Sequence, residues 1–290
     1  HNLAKQRMLE GKPVIGAASG LGSPLGAEIL SQAGYDFVLV DNQHGAWDDE
    51  GTLNAVRSSC LGPAGPMARV RQNDYGAIGR LLDVGMLGIV VPMVNSAEDA
   101  RAAAYAVRYP PRGGRSVGPF GARFYGVDYS TQIDDEVFLA VQIETAQAVG
   151  RAEEILAVEG VDGVFIGPSD LAADMGHIGK PQTEEVQDAI ADAVDVLAEG
   201  GSERCQGEQR GDALAGCAID LGHPAVDRKQ LGLDAEADHQ QGEGLEGADE
   251  DQHLADEPGE AGQAQRGHPH REDDTPLPLA LTRFGNPDHI

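Results

Sequence analysis

The chain has 290 residues, of which 41% are hydrophobic, and carries a formal net charge of −27. That length admits one α/β barrel of about 250 residues as well as two smaller domains, and the hydrophobic share is enough for a sizeable core. The charge argues against nucleic acid and anionic membranes as partners, and no apolar run approaches the roughly 20 residues needed to cross a bilayer.

Strand-like runs occur at Val14–Ala17, Phe37–Val40, Pro66–Val70, Gly88–Pro92, Phe138–Ile143 and Gly163–Ile166. Stretches with helical periodicity lie between most of them, at Leu25–Ala33, Asp49–Ser59, Tyr75–Val84, Ala97–Val107 and Ala146–Val158, with a further helix at about Thr183–Glu199. Near-continuous apolar strands alternating with amphipathic helices predict parallel strands covered by helices. The even spacing favours a TIM (β/α)8-type barrel, with six βα units recognisable, over a doubly wound sheet. No GxGxxG follows the first strand: Gly16, Gly20, Gly22 and Gly26 do not keep that spacing.

Residues 200–290 differ from residues 1–199. They hold one aromatic (Phe284), one Val, two Ile, and 20 acidic against 7 basic residues. So few large apolar groups cannot offset ordering entropy, so this acidic tail is expected to be disordered. Its composition also resembles a GC-rich gene translated in a wrong frame, with the change near Glu199. An open six-stranded barrel would then expose apolar edges. Cys60, Cys205 and Cys217 form no CxxC, so free thiols in a reducing cytoplasm are expected. The chain opens at His1 without a signal-peptide pattern and is expected to be a fragment.

The strand ends carry the chemistry. Asp41 and His44 sit three apart just past the second strand, a spacing that lets a carboxylate orient an imidazole for acid–base work. Arg69 ends the third strand, where a guanidinium needs an anion. Either a neighbouring carboxylate pairs with it or it holds a substrate carboxylate or enolate. Gln142 and Glu144 fall on one side of the fifth strand, and a buried Glu implies a cation. Asp170 follows Gly167-Pro168-Ser169 at a helix start. It either caps that helix or joins Glu144 in holding a hard divalent cation, while the turn's N–H groups suit a carboxylate. Arg112 and Arg115 lie in a loop, Pro110–Glu136, that is a lid, a subunit contact or merely solvated. Asp83 reads as a surface carboxylate, and His268 with His270 as a mimic of a metal clip that its context in the tail argues against.

In combination, Asp41-x-x-His44-Gly45, Ala68-Arg69-Val70, Gly88–Met93, Tyr109–Arg115, Gln142–Thr145 and Gly167–Leu171 resemble the HpcH/HpaI aldolase family over roughly residues 1–199. The resemblance implies a class II pyruvate aldolase that reversibly cleaves a 2-keto-3-deoxy (4-hydroxy-2-oxo) acid to pyruvate and an aldehyde. It also implies Mg²⁺, Mn²⁺ or Co²⁺ on Glu144 and Asp170, with Arg69 and Gln142 at the pyruvate oxygens and His44 with Asp41 as the acid–base dyad. Backbone around Gly167, Pro168 and Ser169 would hold the pyruvate carboxylate. Asp83 would lie near a site across a subunit contact in a homo-oligomer, typically a hexamer. An acyl-CoA lyase of the citrate lyase β-like branch, or an inactive barrel, is the alternative. No lysine suits a Schiff base: Lys5 and Lys12 precede or begin the first strand, Lys180 follows a loop, and Lys229 is in the tail.

Overall fold

A computed structural model describes residues 1–10, 12–121, 125–207, 218–221 and 279–283 of the chain. They belong to one compact unit, His1–Val226 with Pro278–Ile290. The second unit, Asp227–Leu277, falls outside the described residues, as do Cys217, Lys229, His268 and His270.

Six strands run parallel in chain order: β1 (Val14–Ser19), β2 (Phe37–Asp41), β3 (Gly65–Arg69), β4 (Gly88–Val91), β5 (Phe138–Ile143) and β6 (Gly163–Ile166). The covering helices are α2 (Pro24–Gln32), α3 (Asp49–Ser59), α4 (Tyr75–Asp83), α5 (Ala97–Val107), the pair α7 (Ala146–Val149) and α8 (Ala152–Leu156), and α10 (Glu184–Gly207). Ser23, Asp48, Asp74, Ser96 and Thr145 each cap the helix that follows by accepting an N–H of its first turn.

Strand alternation divides the core into two layers. Val38, Val40, Ala68, Ile89, Val91, Leu139, Val141, Val164 and Ile166 face the helices. Phe37, Leu39, Met67, Val90, Phe138, Ala140 and Phe165 fill the interior together with Ala4 and Met8 of α1 (Leu3–Leu9), which stops the strand-entry end. A Cβ on Gly16 would lie 2.0 Å from the Phe37 ring, so that glycine makes room for an interior aromatic.

Four expectations change. The helix expected over Ala146–Val158 is broken at Gly150-Arg151 into α7 and α8. The loop Pro110–Glu136 contains a helix, α6 (Tyr129–Glu136). Helix α10 runs through Gly200 and Gly201 to Gly207 instead of stopping at Glu199. The edges of the six-stranded sheet are not left open: β7 (Ala218–Leu221) pairs parallel with β6, and β8 (Leu279–Arg283) pairs antiparallel with both β7 and β1. The ring closes, but β8 runs against the direction that an eighth βα unit would have. No helix among the described residues is long and apolar enough to cross a membrane.

Candidate active site

Asp41, Arg69, Gln142, Glu144 and Gly167 share the inward parity of Leu39, Met67, Ala140 and Phe165, two residues further along, or four for Glu144. The fold therefore gathers them at the strand-exit end of the barrel, where βα loops build active sites. Helix α9 (Pro168–Asp174) begins at the same rim, with Gly167 as its N-cap.

Asp41 and Arg69 are register partners on β2 and β3. The guanidinium binds the carboxylate with both faces of its fork, Nε to Oδ1 at 2.9 Å and Nη2 to Oδ2 at 2.5 Å. Gln43 and His44 donate their backbone N–H groups to the same Oδ1, at 3.1 and 3.3 Å. Burial alone would raise Asp41. The Arg69 hydrogen bonds and charge, with the two N–H groups, outweigh it and hold the carboxyl below its ordinary value. The expected carboxylate–imidazole pairing is thus corrected. Asp41 grips the backbone of His44, and the ring is exposed with no hydrogen bond among the described residues. The loop that carries His44 is anchored from outside: Arg71 donates to the Asn42 and Trp47 carbonyls at 3.2 Å each, and the buried Trp47 indole donates to the Ser19 carbonyl at 2.6 Å.

Glu144 is 1% exposed. Its Oε1 accepts the Met93 backbone N–H at 2.7 Å, and its Oε2 accepts from Gln142 Nε2. Burial is the main reason its pKa is pushed up to about 7. The Met93 N–H and Gln142 oppose the rise, while Asp170 adds to it by repulsion and by hydrogen bonding to the protonated form. Asp170 lies in the first turn of α9 and is not its cap. Gln142 Oε1 is buried without a hydrogen-bond partner. A Cβ on Gly167 would sit 2.6 Å from Glu144 Oε2 and 2.8 Å from Gln142 Nε2, so only glycine leaves this space clear.

Two neighbouring carboxylates offer oxygen donors, the chemistry that suits Mg²⁺, Mn²⁺ or another hard divalent cation, and Gln142 Oε1 nearby is left without a partner. No three or more His, Cys, Asp or Glu among the described residues are grouped so as to hold a metal ion by themselves. Such an ion would complete its shell with water or substrate oxygens.

Asp83 is not brought to this cluster. It ends α4, just before β4 begins, and accepts from Arg115 Nη2 at 3.0 Å. Arg115 is not a solvated loop residue but is 2% exposed, 4.6 Å from the centre of the Tyr109 ring. Lys5 is buried at the strand-entry end against Asp162, 3.3 Å away, far from any substrate carbonyl at the opposite rim. Met93 was given no role from sequence. It is the only non-glycine residue with a left-handed backbone (φ 56°) among the described residues, and no residue-type pattern announces that conformation.

A sequence model of the family described as HpcH/HpaI aldolase/citrate lyase matches residues 19–201. A 4-hydroxy-2-oxo-heptane-1,7-dioate aldolase of Klebsiella pneumoniae is 44% identical over 205 residues, 69% of this chain and 77% of the relative. Among solved structures, a HpcH/HpaI aldolase/citrate lyase family protein from Burkholderia cenocepacia superposes with a TM-score of 0.65 at 32% identity, covering 69% of this chain and 82% of the other. A HpcH/HpaI aldolase from Desulfitobacterium hafniense gives 0.64 at 28% identity, covering 79% and 93%.

Proposed function

The chain belongs to the HpcH/HpaI aldolase/citrate lyase family, and on that premise we propose that its strand-exit rim is the active site of an aldolase. The reaction is the reversible cleavage of a 4-hydroxy-2-oxo acid into pyruvate and an aldehyde. The observation that carries this reading is the Glu144–Asp170 pair: a buried acid and an exposed one meet at the strand-exit rim, where Arg69 also ends its strand.

Glu144 and Asp170 would hold a divalent cation. When bound, the cation supplies Lewis-acid stabilisation of the 2-oxo oxygen. Arg69 sits beside that oxygen and offers positive charge as the enolate develops, while Asp41 keeps its fork in plane. In the cleavage direction a base takes the C4 hydroxyl proton, the C4–O bond becomes the aldehyde carbonyl, and the C3–C4 electron pair passes to C2–C3. Protonation at C3 then yields pyruvate. His44 is assigned the proton transfer: it is exposed at the mouth, free to meet the departing aldehyde, and its backbone is tethered to Asp41. The substrate carboxylate is assigned to the turn Gly167-Pro168-Ser169, where Gly167 N–H is taken by the Ile143 carbonyl, Pro168 has none, and the Ser169 N–H lacks an intrahelical partner.

Two further assignments follow from the same premise. The aldolase domain is residues 1–199, the first six units of a (β/α)8 frame; the family match ending at residue 201 supports that boundary. Asp83, remote from its own rim, serves the neighbouring copy in a homo-oligomer. The test is pyruvate release from a 4-hydroxy-2-oxo acid by the full chain, before and after EDTA, with Mn²⁺ or Mg²⁺ added back. Activity lost to EDTA and restored by the ion is the expected result. Activity indifferent to EDTA rejects the site, and none with any divalent ion rejects the function.

A further inference from the structure

The loop from β4 to α5 is stitched to the end of β5 at three successive points. Val94 N–H donates to the Gln142 carbonyl at 3.2 Å, Met93 N–H donates to Glu144 Oε1 at 2.7 Å, and Thr145 Oγ1 donates to Asn95 Oδ1 at 2.5 Å. Asn95 also reaches back, its Nδ2 donating to the Met93 carbonyl at 3.1 Å. Its own N–H is taken by Asp99 Oδ2 at 3.1 Å, which holds Asn95 from the helix side.

These contacts force Met93 into the left-handed region. The Met93 side chain does not account for that, because it is 49% exposed and has no pocket to reward the strain. What the conformation achieves is the aim of the backbone N–H at a buried carboxylate. A strained non-glycine backbone persists only where surrounding contacts over-determine it, and such positions gather at functional sites.

We infer that Met93 is a positioning residue: its amide, aimed by a left-handed turn that Asn95 clamps, fixes Glu144 in the orientation that receives the cation. The inference rests on Glu144 being a cation ligand. It assigns the β4–α5 loop to the supporting layer of the site, the layer whose loss commonly weakens metal affinity 10–100-fold.

The test is Mn²⁺ affinity, measured by calorimetry or electron paramagnetic resonance on full-length chains whose folding is checked by circular dichroism. Met93→Val places a β-branched residue where φ must be positive and should weaken Mn²⁺ binding by roughly 10–100-fold. Met93→Gly keeps the N–H, adopts the conformation without strain, and should recover most of that loss. Asn95→Ala removes the clamp without adding strain and should cost roughly tenfold. If the valine variant does not fold, the alanine variant decides. A purely structural role would lower the melting temperature of the metal-free variants and leave Mn²⁺ affinity unmoved, and that result overturns the inference. If the unmodified chain takes up no Mn²⁺, the cation reading of Glu144 itself is wrong. If that chain binds and the folded variants bind equally well, only the role of Met93 is.

Discussion

The barrel buries acids at both of its ends and treats them in opposite ways. At the strand-entry end, Asp162 is surrounded by donors from its own chain. Lys5 Nζ lies 3.3 Å from Oδ1, Arg108 Nη2 lies 3.6 Å from Oδ2, and the Leu139 N–H donates to Oδ2 at 2.8 Å. The two cations are themselves tied down, Lys5 to the Val137 carbonyl at 2.7 Å and Arg108 to the Gly160 carbonyl at 2.8 Å. At the strand-exit end, Glu144 has two neutral N–H donors, and its charged neighbour is another acid, Asp170. The one arginine of this cluster, Arg69, is already committed to Asp41. A buried charge must be neutralised by something. Where the chain supplies the counter-charge, the acid belongs to the structure; where it withholds it, the acid is available to a ligand.

Removing one acid from each end tests this contrast most severely. Glu144→Gln should lower kcat/KM for pyruvate release by roughly 10³-fold, the equivalent of several kcal/mol of lost charge stabilisation. Its thermal stability should hold or rise, because repulsion from Asp170 disappears. The orphan Gln142 Oε1 also gains a donor if the amide turns over. Asp162→Ala should do the reverse and cost roughly 3 kcal/mol in urea unfolding, because Lys5 and Arg108 are left buried without their partner. If the two substitutions behave alike in both assays, the division between the ends is wrong.

Arg69 lies between these cases, since it is paired within the chain and also offered to substrate. Arg69→Lys retains a positive charge but not the planar fork that spans both Asp41 oxygens. We expect kcat/KM to fall by roughly 10²-fold, with only a small change in unfolding free energy. A lysine variant within threefold of the unmodified chain would reduce Arg69 to a structural ion pair.

The contrast between the two ends also explains which features were legible in the sequence. Strands covered on both faces are apolar throughout, so their polar ends stand out; Arg69, Gln142 and Glu144 were found in that way, and alternation correctly put the last two on one side. Partner choice was harder. Three-residue spacing suggested Asp41 with the His44 ring, whereas the β2–β3 register sets Arg69 directly opposite. Local spacing does not carry cross-strand register, and the bidentate arginine wins over an exposed imidazole. Helix α1 and the break between α7 and α8 involve segments too short for periodicity to declare. Strands β7 and β8, with sequences AIDL and LALTR, lack the β-branched run that marks the others. Met93 was illegible for another reason: its conformation goes with the ties of its loop neighbours Val94 and Asn95 to Gln142 and Thr145, and is not preferred by its own residue type.

The smallest effect separates the ends by pH. Burial, with Asp170 adding to it, holds Glu144 at about 7 in the folded chain against an ordinary value of 4.5. The folded state therefore keeps a proton that the unfolded chain has already released. The stabilisation is complete below the ordinary value and is lost as pH rises through about 7. A divalent cation competes for the same oxygens, so its benefit should grow over that range. In differential scanning fluorimetry at fixed Mn²⁺, the rise in Tm should be greater at about pH 8 than at about pH 6, by roughly 2–4 °C, the size of about 1 kcal/mol in a domain of this length. Glu144→Gln should abolish the difference. An equal shift at both pH values, or one that survives in the glutamine variant, would place the Mn²⁺ elsewhere and leave Glu144 a buried acid with no ligand of its own.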